Sequence, residues 1–275
     1  MISRTNASVL LAVSVFSITA AHFVSAGMIG VNFYKDRSPD DNSNQLLTGG
    51  ETAGFASQAN WNNVDTSGSK PVGLVLSDDS GATTTATFTV NPNSRGENGI
   101  LTAWFTPWSG SRNATSTTFT GTQQLLNGYL GTANSSDRTQ ELYIDNIPYE
   151  NYDIHVYVLT HEYSSGMTEL YTDSSLTGEY YYYHGTTWGG RATPPTSYIQ
   201  ATGTTPSTAT QWGNYVTFSN LTGASQSIDV TSSVVPGVNN NTININGFQI
   251  VEVPEPATMA LLALGGMLAF RRRNL

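Results

Sequence analysis

Short runs in which apolar and polar residues alternate recur along most of the chain, and helical periodicity is nearly absent. In TTATFTV (84–90), Ala86, Phe88 and Val90 fall on one face and Thr85, Thr87 and Thr89 on the other. YDIHVYVLT (152–160) places Ile154, Val156 and Val158 on one side, with His155, Tyr157 and Leu159 opposite. NYVTFSNL (214–221) repeats the pattern with Val216 and Phe218. Further strands are expected at 29–34, 72–76, 101–105, 141–147, 179–183, 197–201 and 227–230. Each is bounded by Gly, Asn, Ser, Asp or Pro, residues that tolerate tight turns.

One strand changes phase. Ile243 and Ile245 share a parity that Phe248 and Ile250 do not, so a bulge at Asn246-Gly247 is needed to keep all four on one buried face. The first strand (29–34) and the last (243–251) are both strongly apolar and are expected to be neighbours. The pattern predicts an all-β fold, an antiparallel two-sheet β-sandwich of jelly-roll type. No fixed repeat supports a propeller or an up-and-down barrel. Polar stretches at 35–68, 91–99, 109–121 and 188–195 read as loops long enough to carry function.

The two ends are different. Residues 1–26 have a short polar start with Arg4, an apolar stretch and the exit Val24-Ser25-Ala26, the layout of a secretory signal peptide cleaved between Ala26 and Gly27. A retained anchor is the alternative. At the other end, Pro254-Glu255-Pro256 precedes an apolar run (257–270) and Arg271, Arg272 and Arg273. As a helix, that run rises about 21 Å against a hydrocarbon core of about 30 Å. Snorkelling arginines and local thinning of the bilayer shorten the gap. Basic residues stay cytoplasmic, so the domain before the prolines is expected outside. The chain thus divides into a signal segment (1–26), a β domain (27–253) and a tail (254–275).

Composition agrees with export. The formal charge is −9, and without the two ends seven basic residues face nineteen acidic ones, a net −12. Such a surface repels phosphate backbones, which argues against nucleic acid as a partner. Only 11% of residues are charged, and there is no cysteine. The fold must therefore hold by packing and backbone pairing, and thiolate chemistry is excluded.

The tail resembles the PEP-CTERM sorting signal of Gram-negative bacteria: the Pro254-Glu255-Pro256 motif, a single apolar helix, and the cluster Arg271–Arg273. The resemblance covers about 23 of 275 residues. It implies recognition by an exosortase, a membrane cysteine peptidase, with transient residence in the cytoplasmic membrane. Release or transfer to the cell surface follows, in company with exopolysaccharide or biofilm matrix. The segments IGVNFY, NWNN, LLNGYL and NGFQIV loosely resemble the galactose-binding-like jelly-roll domains of surface proteins.

Within the β domain, aromatic residues are the main candidates for a site. GEYYYYHGTTWGG gathers Tyr180, Tyr182 and Trp188, and AWFTPWSG gathers Trp104 and Trp108. Exposed rings beside amides bind sugar faces, whereas buried rings merely pack. Asp36, Asp40 and Asp41 form an oxygen-rich loop that could hold Ca²⁺, but EF-hand spacing is missing and a solvated loop is the simpler reading. No other cofactor is implied. His155, His161 and His184 lack metal-ligand spacing, and HEYSS lacks the second histidine of a zinc-protease motif. Glu141 and Asp145 share a strand face but stand about 13 Å apart, too far for glycoside hydrolysis. The expected role is structural or carbohydrate-contacting, and not enzymatic. A polysaccharide-active enzyme is one alternative and a ligand-free structural protein the other.

Overall fold

A computed structural model of the chain describes residues 26–34, 46–48, 50–65, 71–90, 119–128, 130–131, 138–158, 167–172, 180–184, 195–208, 210–211, 213–232 and 244–254. All of them belong to one unit, Ala26–Glu255. The alternating runs form two sheets. The first has five strands in the order β11 (Tyr215–Thr222), β7 (Asn151–Tyr157), β14 (Gly247–Glu252), β1 (Met28–Tyr34) and β2 (Asn62–Asp65). The second has seven: β10 (Thr210–Gln211), β9 (Tyr180–His184), β8 (Met167–Thr172), β12 (Gln226–Ser232), β6 (Arg138–Asp145), β4 (Thr83–Val90) and β3 (Leu74–Ser77). A small ribbon pairs β13 (Asn244–Ile245) with β5 (Leu130–Gly131).

The two large sheets share one apolar core. Ile29, Val31 and Phe33 of β1, Ile154 and Val156 of β7, and Phe248 and Ile250 of β14 meet Ala86, Phe88 and Val90 of β4, Leu142 and Ile144 of β6, and Ile228 and Val230 of β12. Phe88 lies between the layers, its ring centroid 5.7 Å from Phe33 and 5.4 Å from Phe248. Each of the larger of these side chains contributes about 1.5–3 kcal/mol by leaving water. The alternation in 84–90 and 152–158 therefore reports the buried face, as the pattern required.

First and last strands are neighbours. β1 and β14 pair antiparallel, from Met28 opposite Val251 to Asn32 opposite Gly247. The phase change at Asn246 is not the expected bulge but a break between strands: Ile245 pairs with Leu130 in the small ribbon, and β14, paired regularly with β1 and β7, begins at Gly247. Between them, the Asn246 amide donates to the Tyr157 carbonyl (2.8 Å), and its carbonyl accepts from the Phe33 amide (3.0 Å). Ile245, Phe248 and Ile250 all enter the same core.

Several expectations need correction. The sheets are mixed, because β2 runs parallel to β1 and β10 parallel to β9. Residues 197–201 do not form a strand; only an isolated bridge joins Gln200 to Tyr215. The expected loop at 35–68 contains β2, and its Leu47, Ala53, Trp61 and Val64 are buried. Alternation failed there because Asn62 and Asn63 use their side chains on the backbone. The Asn62 side chain donates to the carbonyls of Gly30 (2.9 Å) and Ser77 (2.8 Å) and accepts from the Ser77 amide (2.9 Å), tying the edge of one sheet to β3 of the other. A one-turn helix, α1 (Gly121–Leu125), stands at the end of the stretch read as a loop at 109–121. Its signature is a capping box: Thr120 accepts from the Gln123 amide while the Gln123 side chain accepts from the Thr120 amide. The expected strand at 101–105, the signal segment up to residue 25 and the apolar run 257–270 lie outside the described residues. Among the described residues, no helix is long and apolar enough to cross a membrane.

Candidate functional site

The junction between domain and tail is built from the two paired terminal strands. β14 lies between β1 and β7, so its backbone is bonded on both sides. At its end, the Glu252 amide donates to the Gly27 carbonyl (2.9 Å) and the Val253 amide to the Asn151 carbonyl (2.9 Å). Pro254 follows, exposed and without an N–H to offer. The ladder thus runs up to the residue before the Pro-Glu-Pro motif.

Acidic side chains collect at this corner. The Glu252 carboxylate accepts from the Gly27 amide at 3.0 Å. Asp79 accepts from the Met28 amide at 3.3 Å through its side chain, and its own amide donates to the Met28 carbonyl at 2.8 Å. Asp78, in the turn between β3 and β4, accepts from the Ser80 hydroxyl (2.6 Å) and from the amides of Ser80 (2.9 Å) and Ala82 (3.0 Å). The Ser80 hydroxyl bond leads in holding its carboxyl below the ordinary range, against some desolvation. Tyr149 packs against Gly27 so closely that a Cβ there would sit 2.7 Å from its ring. Burial, reinforced by the charges of Asp78, Asp79 and Glu252, pushes the Tyr149 phenol well above its usual value.

The outer face of the five-stranded sheet is covered as well. Leu47, Ala53, Trp61, Leu125, Leu126, Tyr157 and Tyr215 form a second buried cluster, with Tyr198 packed against it. Segment 53–58 is bonded onto this face through Gln249. Its side-chain oxygen accepts from the Tyr157 hydroxyl (3.0 Å) and the Ala56 amide (3.3 Å), and its nitrogen donates to the Ala56 carbonyl (2.6 Å) and to Gln58 Oε1 (2.7 Å). Tyr157 also accepts from the Phe55 amide (2.7 Å), and Tyr198 from the Gly54 amide (2.9 Å). Phe55 is 56% exposed and stacks on Tyr215 at 5.1 Å. Beside it, buried His155 shares a hydrogen bond with the Thr217 hydroxyl (2.9 Å), and desolvation lowers its imidazolium to about 4.

Of the sequence-derived candidates, Ala26, Gly27 and Pro254 are placed at the junction. Tyr180 and Tyr182 belong to β9, where they stand in register with Tyr171 and Glu169 of β8. Trp104, Trp108, Trp188, Asp36, Asp40, Asp41, His161, Glu255, Pro256 and Arg271–Arg273 lie outside the described residues. Among the described residues, no group of three His, Asp or Glu side chains is arranged to hold a metal ion. Sequence reasoning overlooked Glu252, Asp79 and Tyr149. Counting the antiparallel register outward from Gly247 would have brought Glu252 to Gly27.

The five-stranded sheet's central strand β14 thus ends just before the exposed Pro254, the first residue of the Pro-Glu-Pro motif. The family model of the PEP-CTERM protein-sorting motif matches residues 252–273. The chain therefore carries the signal of exosortase substrates: an exported protein, membrane-anchored at its C-terminus before a membrane peptidase processes it. The match begins at Glu252, inside β14, so signal and fold overlap. No curated protein matches the chain.

Proposed function

We propose that this is a cell-surface or matrix protein of a Gram-negative-type envelope, whose jelly-roll-like β domain is the exported cargo and has a structural or carbohydrate-contacting role beside exopolysaccharide. The observation that carries this reading is the junction: backbone pairing runs to Val253, and Pro254 is exposed directly after it. A folded domain can then stay intact while a peptidase grips the proline-bracketed Glu255. The signal segment leaves after Ala26, and the arginines hold the tail's end in the cytoplasm. Tyr180, Tyr182 and Trp188, with Trp104 and Trp108, are the rings assigned to contact sugar.

Two measurements test this reading. Glu255→Gln and Pro256→Ala should leave the protein at its unprocessed mass in the membrane fraction; unchanged mass and location would remove the sorting role. The exported protein should be retained on an exopolysaccharide column, and Tyr180→Ala with Trp188→Ala should abolish the retention. Wild-type protein that flows through unretained reduces the domain to a structural role.

A further inference from the structure

We propose that cleavage between Ala26 and Gly27 turns the acidic corner into an ion-pair latch, in which the new N-terminal ammonium of Gly27 is bound by Glu252 while Asp79 holds the amide of the next residue. The proposal rests on the cleavage position given above. Hydrolysis adds one water across the Ala26–Gly27 bond: the acyl carbon of Ala26 takes the oxygen and becomes a carboxylate, and the Gly27 nitrogen takes the protons and becomes an ammonium. An α-amine titrates at about 8, so this nitrogen is charged at neutral pH.

The receiving site is already in place. Gly27 N lies 3.0 Å from Glu252 Oε2, and Glu252 N returns a 2.9 Å bond to the Gly27 carbonyl. The next residue is fixed from the other side, since Met28 N lies 3.3 Å from Asp79 Oδ1 and Asp79 N bonds the Met28 carbonyl at 2.8 Å. One carboxylate therefore holds the Gly27 nitrogen and a second the Met28 nitrogen, and the Gly27 nitrogen, while amide-linked, brings no charge to the site. The negative potential there is felt by Tyr149, whose phenol Asp78, Asp79 and Glu252 all push upward. Tyr149 also fills the space a side chain at Gly27 would need, so the nitrogen cannot be displaced by a larger first residue without moving the ring. Cleavage keeps the existing donor, adds a charge to it, and makes the bond about twice as strong as its neutral form. The latch sits two residues before Pro254, so one proteolytic event fastens the strand end from which the second will cut.

The test uses the full chain, exported and processed in cells, then recovered. Mass spectrometry of the recovered protein should give Gly27 as its first residue; any other start overturns the latch, while the mass at the C-terminus still reads the sorting reaction separately. Urea unfolding is then compared in a cycle: free or acetylated α-amine, each with Glu252 or Glu252→Gln. Glu252→Gln should lower the folding equilibrium constant about ten-fold more in the free-amine protein than in the acetylated one. Equal losses in both backgrounds overturn the proposal. A serine inserted between Ala26 and Gly27, which moves the ammonium off the site, should reproduce the acetylated behaviour; an unchanged coupling in that variant overturns it equally.

Discussion

Gln249→Leu tests whether the segment over the outer sheet face is held by one buried amide. Gln249 is fully buried in the middle of β14 and serves four groups at once. Leucine preserves bulk and removes every one of those bonds. Ala56 is only partly buried, so water can reach its backbone groups. The Tyr157 hydroxyl proton and Gln58 Oε1 belong to buried residues and lose the amide that serves them. At about 1–3 kcal/mol for each stranded group, the substitution should cost about 3 kcal/mol. In a domain of this size that lowers the midpoint of thermal unfolding by roughly 6–12 °C. Differential scanning calorimetry gives the total loss. Amide hydrogen exchange locates it, since the Phe55 amide, which donates to Tyr157, should exchange much faster once the segment lifts. A Gln249→Leu protein within about 0.5 kcal/mol of the wild type, with Phe55 still protected, refutes the assignment of Gln249 as the fastener.

Other perturbations have definite signs. His155 binds its proton near pH 4 when folded and near its ordinary 6.5 when unfolded, so the unfolded chain takes up more protons between those values. Stability should therefore fall by at most about 3 kcal/mol as pH drops across that window. His155→Gln should flatten that part of a urea-midpoint-against-pH curve; an identical slope in the variant would falsify the burial argument. Phe88→Ala empties the space between Phe33 and Phe248 and should cost about 3–5 kcal/mol in urea unfolding. Gly128→Ala would drive a Cβ into the Phe33 carbonyl oxygen, so it should yield little folded protein, read by soluble expression and circular dichroism.

Strands whose faces differ in polarity were legible in the sequence. Ala86, Phe88 and Val90, or Ile154, Val156 and Val158, enter the core as their spacing required. The pairing of first and last strands followed from their apolar character; the change of parity at Asn246 located an irregularity, where the structure has a strand end rather than the expected bulge. Harder to read was the second covered face. Gly30, Asn32, Gln249 and His155 occupy positions that alternation assigns to solvent, yet all are buried beneath the 46–61 segment and α1 or their neighbours. Amides whose spacing does not signal burial, among them Asn62, Asn63, Asn214 and Gln249, join backbone segments. Asn214, for example, holds Ile199 and Ser197 at 2.8 and 3.0 Å. Parallel pairing of β1 with β2 left no trace because a strand's own periodicity is the same in either direction. Of the candidate site, the tail motif was legible because it is local in sequence. The acidic corner was not, since Gly27, Asp79, Tyr149 and Glu252 meet only through tertiary pairing.

The position of β14 also decides how this domain bears load. Any pull transmitted through the tail enters along the axis of a strand with bonded neighbours on both flanks, β1 and β7. Such a force shears two rows of hydrogen bonds together, whereas an edge strand would peel away one bond at a time. Until it is processed, the C-terminally anchored chain is thereby gripped at the place in the five-stranded sheet where rupture demands that many bonds fail at once.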